Sequence, residues 1–215
     1  MRSGDESSTE GRLCSYGVNS VADWQKCNEK WLRKNLPTLP REMRFKLLNA
    51  ANAASCDMVM SYRVTETGLR GDKSVFKIAR HVRRRGYRVF VAEGDLEAGN
   101  NWPTTIQEAV RNCKAIVAMC SNTYGDKKLS RWTLRELVMA DNRDKLILPV
   151  WHSGPYPPQG VEIYLSGTQY VPNISNCGYA EAEMSHERVA EQLVKALIQN
   201  GVVPSGQPQR SSTTN

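Results

Sequence analysis

The chain has 215 residues, a net charge of +7 and a mean hydropathy of −0.52. Apolar residues make up 40% and charged residues 24% of it, which is ordinary usage for a folded protein and excludes wholesale disorder. Its apolar runs are too short to span a bilayer, and its polar first ten residues resemble neither a secretory signal nor a transit peptide. We therefore expect a cytoplasmic protein.

The excess positive charge is confined to one stretch of the chain. Residues 63–88 hold nine basic and two acidic residues, so the remainder of the chain is neutral overall. Such a stretch indicates either a solvated helix face or a surface for an anionic partner, such as nucleic acid, an acidic membrane or a phosphate-bearing molecule.

Cysteine and histidine positions argue against a metal site. The six cysteines form no CxxC pair and no Cys/His cluster. We expect them to be reduced and mostly buried, and we interpret His81, His152 and His186 as surface or capping residues.

Composition divides the chain into four parts. We predict a disordered amino terminus over 1–20, a helical extension over 21–55, one α/β domain over 56–201 and a disordered tail over 202–215.

From residue 57 onward, strand and helix patterns alternate. The predicted strands are 57–62, 87–91, 115–120, 146–150 and a weaker fifth near 161–171. The predicted helices run from 72 to 86, from 103 onward, over 130–142 and over 181–199. This order predicts a parallel sheet covered by helices on both faces, with ligands bound at the carboxyl ends of the strands.

Polar and aromatic residues follow these strand ends. Tyr62 and Arg63 follow the first strand, and an aromatic ring with a guanidinium is suited to a base and a phosphate. The alternative is a Tyr packed under a loop beside a solvated Arg. After the second strand, residues 93–102 combine carboxylates, glycines and Trp102, as in a contact loop, although Trp102 alone can also hold the loop on the next helix.

The third element is the helix 130–142. Trp132 and Glu136 are four residues apart and so share one helix face at the margin of its apolar side. A carboxylate beside an indole can stabilise a developing cation, orient ribose hydroxyls or act as a base. Alternatively, Glu136 pairs with Arg63 or Arg135 and has a purely structural role.

Other nucleotide and phosphate motifs are absent from the sequence. It contains neither GxxxxGK[ST] nor GxGxxG after a strand. A phospho-acceptor domain needs an acidic pair at the first strand and an Asp ending a middle strand, whereas here Asp57 stands alone and the third strand ends in Cys120-Ser121.

In combination, these motifs resemble the Toll/interleukin-1 receptor (TIR) domain family. The matching segments are Asp57–Tyr62, the loop 93–99, residues 120–124, Leu148-Pro149-Val150 and Ser130-x-Trp132-Thr133-x-x-Glu136-Leu137, where Thr133 replaces the usual cysteine. The resemblance implies a flavodoxin-like, three-layer α/β fold with a central parallel five-stranded sheet. It is strongest to SARM1-type, NAD-cleaving members, because of Tyr62-Arg63, Leu96-Glu97-Ala98-Gly99 and the Trp132–Glu136 spacing.

That resemblance implies an NAD⁺ glycohydrolase that needs no cofactor, with NAD⁺ as its substrate and Glu136 as the catalytic residue. The implied substrate contacts are Tyr62, Arg63, Glu93, Leu96, Asn101, Trp102, Ser121 and Trp132. It also implies homotypic TIR–TIR self-association. A non-catalytic TIR adaptor, which pairs with other TIR proteins, and a nucleic-acid-binding or nucleotide-cyclising TIR remain as alternatives. We do not expect a nucleic-acid partner.

Overall fold

The computed structural model describes residues 56–92 and 102–205, together with 34, 37 and 38; at 102 and 103 only the backbone is described. The elements in these ranges are β1 (Met58–Ser61), α1 (Val64–Thr67), α2 (Ser74–Arg84), β2 (Val89–Val91), α3 (Trp102–Asn112), β3 (Ala115–Cys120), α4 (Arg131–Asp141), β4 (Leu146–Trp151), α5 (Glu162–Leu165) and α6 (His186–Gln199). The predicted disordered amino terminus and, apart from those three residues, the helical extension lie outside the described residues.

The strands form one parallel sheet in the order β2-β1-β3-β4. Met60 of β1 pairs with Val91 of β2 and with Val117 of β3. Every residue of β3 is buried, as expected for an apolar strand that is covered on both faces. This confirms the predicted α/β class and its parallel sheet.

Helices cover both faces of the sheet. Met58 and Met60 of β1 pack into the core that includes α2 and α6, whereas Val59 packs into the core under α3. Because side chains alternate along a strand, Ser61 shares the face of Val59, which is the face toward α3 and α4.

The predicted fifth strand is not seen in the described part of the chain. The segment 161–171 instead contains the short helix α5, and only Val171 reaches the sheet, as a single parallel bridge to Val150. Val171 donates its amide to Pro149 and accepts from Trp151. The next residue, Pro172, has no amide hydrogen to extend such a ladder.

The last helix begins later than predicted. The sequence predicts a start near residue 181, but α6 begins at His186, because the Ser185 side chain accepts the amide of Arg188 and caps the helix there. Glu181 lies outside the helix and accepts the amides of Gly154 and Gly178.

Much of the basic stretch is exposed, which fits both a solvated helix face and a surface for an anionic partner. Along α2, Lys77, Arg80 and Arg84 are exposed. Arg85 pairs with Glu191 of α6 at 3.2 Å.

At the amino edge of the sheet, Asp57 is only 1% exposed and is the centre of a polar clasp. It accepts hydrogen bonds from the Arg88 amide at 2.9 Å, from Lys114 Nζ at 3.0 Å and from both the amide and hydroxyl of Ser205. The tyrosine hydroxyl of Tyr87 donates to the Val202 carbonyl at 2.9 Å. Ordered contacts thus continue beyond 201, the predicted end of the domain.

Within the described ranges, Cys56, Cys113 and Cys120 are buried and Cys177 is partly buried, all as free thiols. The same residues include no His, Cys, Asp and Glu grouping suited to a metal ion. Their helices are too short or too polar to cross a membrane.

Candidate active site

A cavity of about 390 Å³ opens at the carboxyl edge of the sheet, between β1, β2, α3 and α4. Its lining is mostly apolar and includes Val59, Met60, Tyr62, Val64, Phe90, Ala92, Ile106, Trp132, Thr133 and Glu136. This is where ligands bind in open parallel sheets. Glu136 is the one ionisable acid among these lining residues.

Glu136 lies on α4 and is only 7% exposed. Burial raises the pKa of its carboxyl group from 4.5 to about 7, and the nearby Ser61 hydroxyl opposes this shift in part. At neutral pH the group is therefore poised between its neutral and ionised forms, which is the state expected of a carboxylate that does chemistry.

Behind Glu136 lies a small hydroxyl network. Ser61, the last residue of β1, is hydrogen-bonded to the hydroxyl of Tyr124 at 2.7 Å, and both residues are buried. Burial raises the pKa of Tyr124 well above its usual value, so this phenol stays neutral. The pair gives the carboxyl group a polar, uncharged neighbour, and neither residue is among those that line the cavity.

Trp132 stands one turn before Glu136 and forms a wall of the cavity. It is 46% exposed, an unusual surface for so large an apolar side chain. The guanidinium carbon of Arg135 lies 5.0 Å from the centre of its ring, within cation–π range. One face of the Trp132 ring is therefore available to a ligand while the Arg135 guanidinium contacts the other face.

Thr133 fixes the start of α4. Its hydroxyl oxygen accepts the amide of Gly125 at 2.9 Å and lies 2.8 Å from the Ser130 carbonyl, to which it donates. The Ser130 hydroxyl is 2.7 Å away. These bonds are buried and hold the loop before α4, and so the position of Trp132 and Glu136, in place.

The cavity brings together only some of the predicted site residues. Tyr62, Trp132 and Glu136 line it, and the Tyr62 hydroxyl donates to the Ala92 carbonyl. Arg63 and Ser121 are not on its wall in the described part of the structure, and Ser121 is fully buried.

Four predicted contacts are not described at the level of their side chains. Glu93, Leu96 and Asn101 lie outside the described residues, and of Trp102 only the backbone, at the start of α3, is described. Ala92, the last described residue before Glu93, lines the cavity.

A second polar cluster lies at the same sheet edge on the opposite face. His152, directly after β4, is 6% exposed, so of its interpretation as a surface or capping residue the surface part is wrong. Its Nε2 lies 2.6 Å from Asp72 Oδ2 and its Nδ1 lies 2.7 Å from the Ser153 hydroxyl. Asp72 also accepts the Ser74 amide at 2.8 Å, so the cluster ties β4 to the start of α2.

Sequence reasoning missed Ser61, Tyr124 and the Asp72–His152 pair. Strand alternation carried a signal for Ser61, because it follows Val59 by two residues and must face the same side as α4. Asp72 and His152 are 80 residues apart, and no local pattern joins them.

The chain matches one family of known proteins. A family model described as "TIR domain" matches residues 70–186, more than half of the chain. Among solved structures, the TIR domains of the activated Roq1 resistosome, which directly recognises the pathogen effector XopQ, are similar at 17% identity and a TM-score of 0.38, covering 68% of this chain and 75% of that chain. A search of curated proteins found no match.

Proposed function

The chain belongs to the TIR domain family, and from this premise we propose that it is an NAD⁺ glycohydrolase that acts in the cytoplasm. The observation that carries the proposal is a single buried carboxyl group, Glu136, with a pKa of about 7 in a largely apolar cavity beside the half-exposed Trp132. The likeness of its motifs to SARM1-type members supports the same reaction.

The chemistry suits one carboxylate. When the bond between ribose C1′ and the pyridinium nitrogen of NAD⁺ breaks, both bonding electrons leave with nicotinamide, which departs neutral and needs no general acid. The ribose then carries the positive charge, and ionised Glu136 stabilises that cation and holds the ribose hydroxyls. Water adds to C1′ and releases a proton, giving ADP-ribose; attack by the substrate's own adenine gives a cyclic product instead.

The remaining lining residues serve this step by position. Trp132 offers its ring as a wall for nicotinamide, and Tyr62 forms a further part of the cavity lining. The apolar lining limits water around Glu136 and so strengthens its attraction for the developing cation. The reaction as written uses NAD⁺ only as substrate and calls for no cofactor.

Self-association belongs to the same proposal. In enzymatic TIR domains that the motifs resemble, the loop after the second strand of a neighbouring copy completes the site. The Roq1 structure is that of TIR domains in a resistosome. We expect homotypic assembly to raise activity here too, so that turnover per molecule increases with protein concentration.

The test compares wild type with Glu136→Gln at high protein concentration, with nicotinamide and ADP-ribose separated by chromatography. We expect Glu136→Gln to lower the rate at least a hundredfold, as removal of a charge that stabilises a transition state does. Glu108→Gln is the matched control, because Glu108 is an exposed glutamate of α3.

Undiminished NAD⁺ consumption by Glu136→Gln contradicts the assignment. No consumption by wild type at any concentration, together with binding to other TIR proteins, supports the non-catalytic adaptor instead.

A further inference from the structure

A groove of about 910 Å³ runs along α4 beside α3. Ile106, Trp132 and Glu136 line both the groove and the cavity, so the two depressions adjoin each other at these residues. The cavity alone, at about 390 Å³, is near the small end of ligand sites. The groove is therefore the adjacent space into which a larger ligand bound at Glu136 would extend.

The groove is positively charged. Its lining includes four basic residues, Lys127, Arg131, Arg135 and Arg143, all of them exposed. Glu136 is the only acidic residue that the structure describes on its wall. Arg131 and Arg135 are one helical turn apart, about 6 Å along the axis, and so project from the same side of α4.

Part of the groove lining is apolar. Ile106 of α3 and Val138 and Met139 of α4 are buried or half-buried on its wall, and Gln107 and Asn142 add neutral polar groups. Basic and apolar side chains in one groove suit a ligand that carries both anionic groups and a flat, weakly polar ring. Nucleotides have this combination.

Arg135 lines the groove and contacts Trp132, which lines both the groove and the cavity. Its guanidinium carbon lies 5.0 Å from the centre of the Trp132 ring, and this contact restricts the guanidinium. An ordered guanidinium binds phosphate oxygens with less loss of side-chain freedom than a free one.

Arg63, the other candidate phosphate contact, is placed differently. It lines neither depression among the described residues. It lies near Glu66, which accepts hydrogen bonds from the Thr123 amide and hydroxyl at 3.2 and 2.6 Å. Burial would raise the pKa of Glu66, but the hydrogen bonds from Ser121 and Thr123 and the charge of Arg63 lower it.

We propose that the α4 groove is the subsite for the diphosphate of a dinucleotide substrate, with Arg131 and Arg135 as its principal contacts in place of Arg63. The inference rests on the proposed function in one respect, the placement of the nicotinamide riboside end against Glu136. The second nucleoside then lies against the apolar part of the groove lining.

The test measures NAD⁺ and ADP binding by calorimetry in the Glu136→Gln background, so that binding is read without turnover. We expect Arg131→Gln/Arg135→Gln to weaken both ligands at least tenfold, because charge-assisted hydrogen bonds to phosphate are lost. Lys77→Gln/Arg80→Gln, which removes the same charge from the exposed face of α2, is the matched control and should bind as the background does.

Two further variants sharpen the assignment. Arg131→Gln alone should also weaken the binding of NAD⁺ and ADP. Because Arg131 has no stacking contact with Trp132 in the structure, this loss would not come from a disturbed Trp132 ring. Arg63→Gln should leave ADP affinity unchanged. In the active protein, the double variant Arg131→Gln/Arg135→Gln should raise KM for NAD⁺ more than it lowers kcat. Its cleavage of nicotinamide riboside, which has no phosphate, should be unaffected.

Equal affinity of the groove variant and the background overturns the proposal, as does an equal loss in the α2 control, which would reflect net charge alone. A change only in self-association, seen by sedimentation, also overturns it and assigns the groove to a second copy of the chain. Groove-dependent binding by a protein that cleaves no NAD⁺ would support the subsite while contradicting the glycohydrolase; cleavage without groove dependence would do the reverse.

Discussion

Two buried carboxylates stand at opposite edges of the sheet and behave in opposite ways. For Asp57 at the amino edge, burial would raise the pKa, but hydrogen bonds from Ser205, the Arg88 amide and Lys114 outweigh it and the pKa is lowered. For Glu136 at the carboxyl edge, burial dominates and the pKa rises to about 7. Asp57 is therefore ionised, and its hydrogen bonds stabilise the fold. Glu136 has too few hydrogen-bond donors to offset its burial, so a positively charged ligand would favour its ionised form.

The contrast shows how to tell a structural acid from a reactive one. Both side chains are almost fully buried, so burial alone does not separate them. What separates them is the number of donors that reach the carboxylate. A buried carboxylate with few donors is costly to ionise, and a cationic ligand or transition state can relieve that cost.

The largest expected effect concerns the stability cost of ionising Glu136. Its folded-state pKa is raised, so its contribution to stability is fully present below pH 4.5 and is lost as the pH rises through 7. Glu136→Gln removes this loss. Relative to wild type, the variant should therefore gain about 2–3 kcal/mol of unfolding free energy between pH 5 and pH 8.

Urea denaturation at the two pH values measures this difference. Glu108→Gln, on an exposed site, should show no such change. A stability difference for Glu136→Gln that is the same at pH 5 and pH 8 would break the contrast between the two acids.

Asp57→Asn should have the reverse outcome. It removes the carboxylate from Lys114 and Ser205, and we expect a loss of about 2 kcal/mol of unfolding free energy near neutral pH, since hydrogen bonds to charged groups are lost. NAD⁺ cleavage by the folded variant should remain at the wild-type rate, because Asp57 lies at the edge away from the cavity.

The loss of unfolding free energy caused by Asp57→Asn should also be smaller at acidic pH. The pKa of Asp57 is lowered in the folded state, so its contribution is present above its ordinary value of 3.8 and is lost as the pH falls below it. A large loss of catalytic rate in folded Asp57→Asn would contradict the division of roles.

The smallest expected effect concerns Ser61, whose hydroxyl partly offsets the raised pKa of Glu136. In wild type, kcat/KM for NAD⁺ should rise with pH and level off above about 7, as Glu136 ionises. Ser61→Ala should move that midpoint to higher pH by less than about one unit, or about 1 kcal/mol.

Tyr124→Phe is the companion variant, since it removes the hydroxyl that is hydrogen-bonded to Ser61 at 2.7 Å. Its midpoint should move by less than that of Ser61→Ala, because the Ser61 hydroxyl that lowers the pKa of Glu136 is still present. A larger shift in Tyr124→Phe than in Ser61→Ala would show that packing, and not the Ser61 hydroxyl, sets the pKa.

The parts of the fold and of the candidate site that the sequence predicts are those whose residues are close together in the sequence. The strand Ala115–Cys120 was predicted to the residue, because an uninterrupted apolar run has one plausible place in a parallel sheet. The helix predicted over 130–142 is observed over Arg131–Asp141, and the four-residue spacing placed Trp132 and Glu136 at one cavity.

Features that depend on distant partners were not predictable. No pattern near His152 predicts its contact with Asp72, and no pattern near Asp57 predicts Ser205 as a hydrogen-bond donor. The segment 161–171 looked like a strand from its apolar residues, yet Pro172 and the packing of Leu165 left a single bridge there. The placement of Glu93, Leu96 and Asn101 stays a prediction.

The clasp around Asp57 also brings two distant parts of the chain to one edge of the sheet. Cys56 leads into β1 at the amino edge, and Ser205 is held at that same edge through Asp57. The cavity opens at the other edge. A label or tether attached next to Ser205 would therefore be bound to the protein at the edge opposite the cavity.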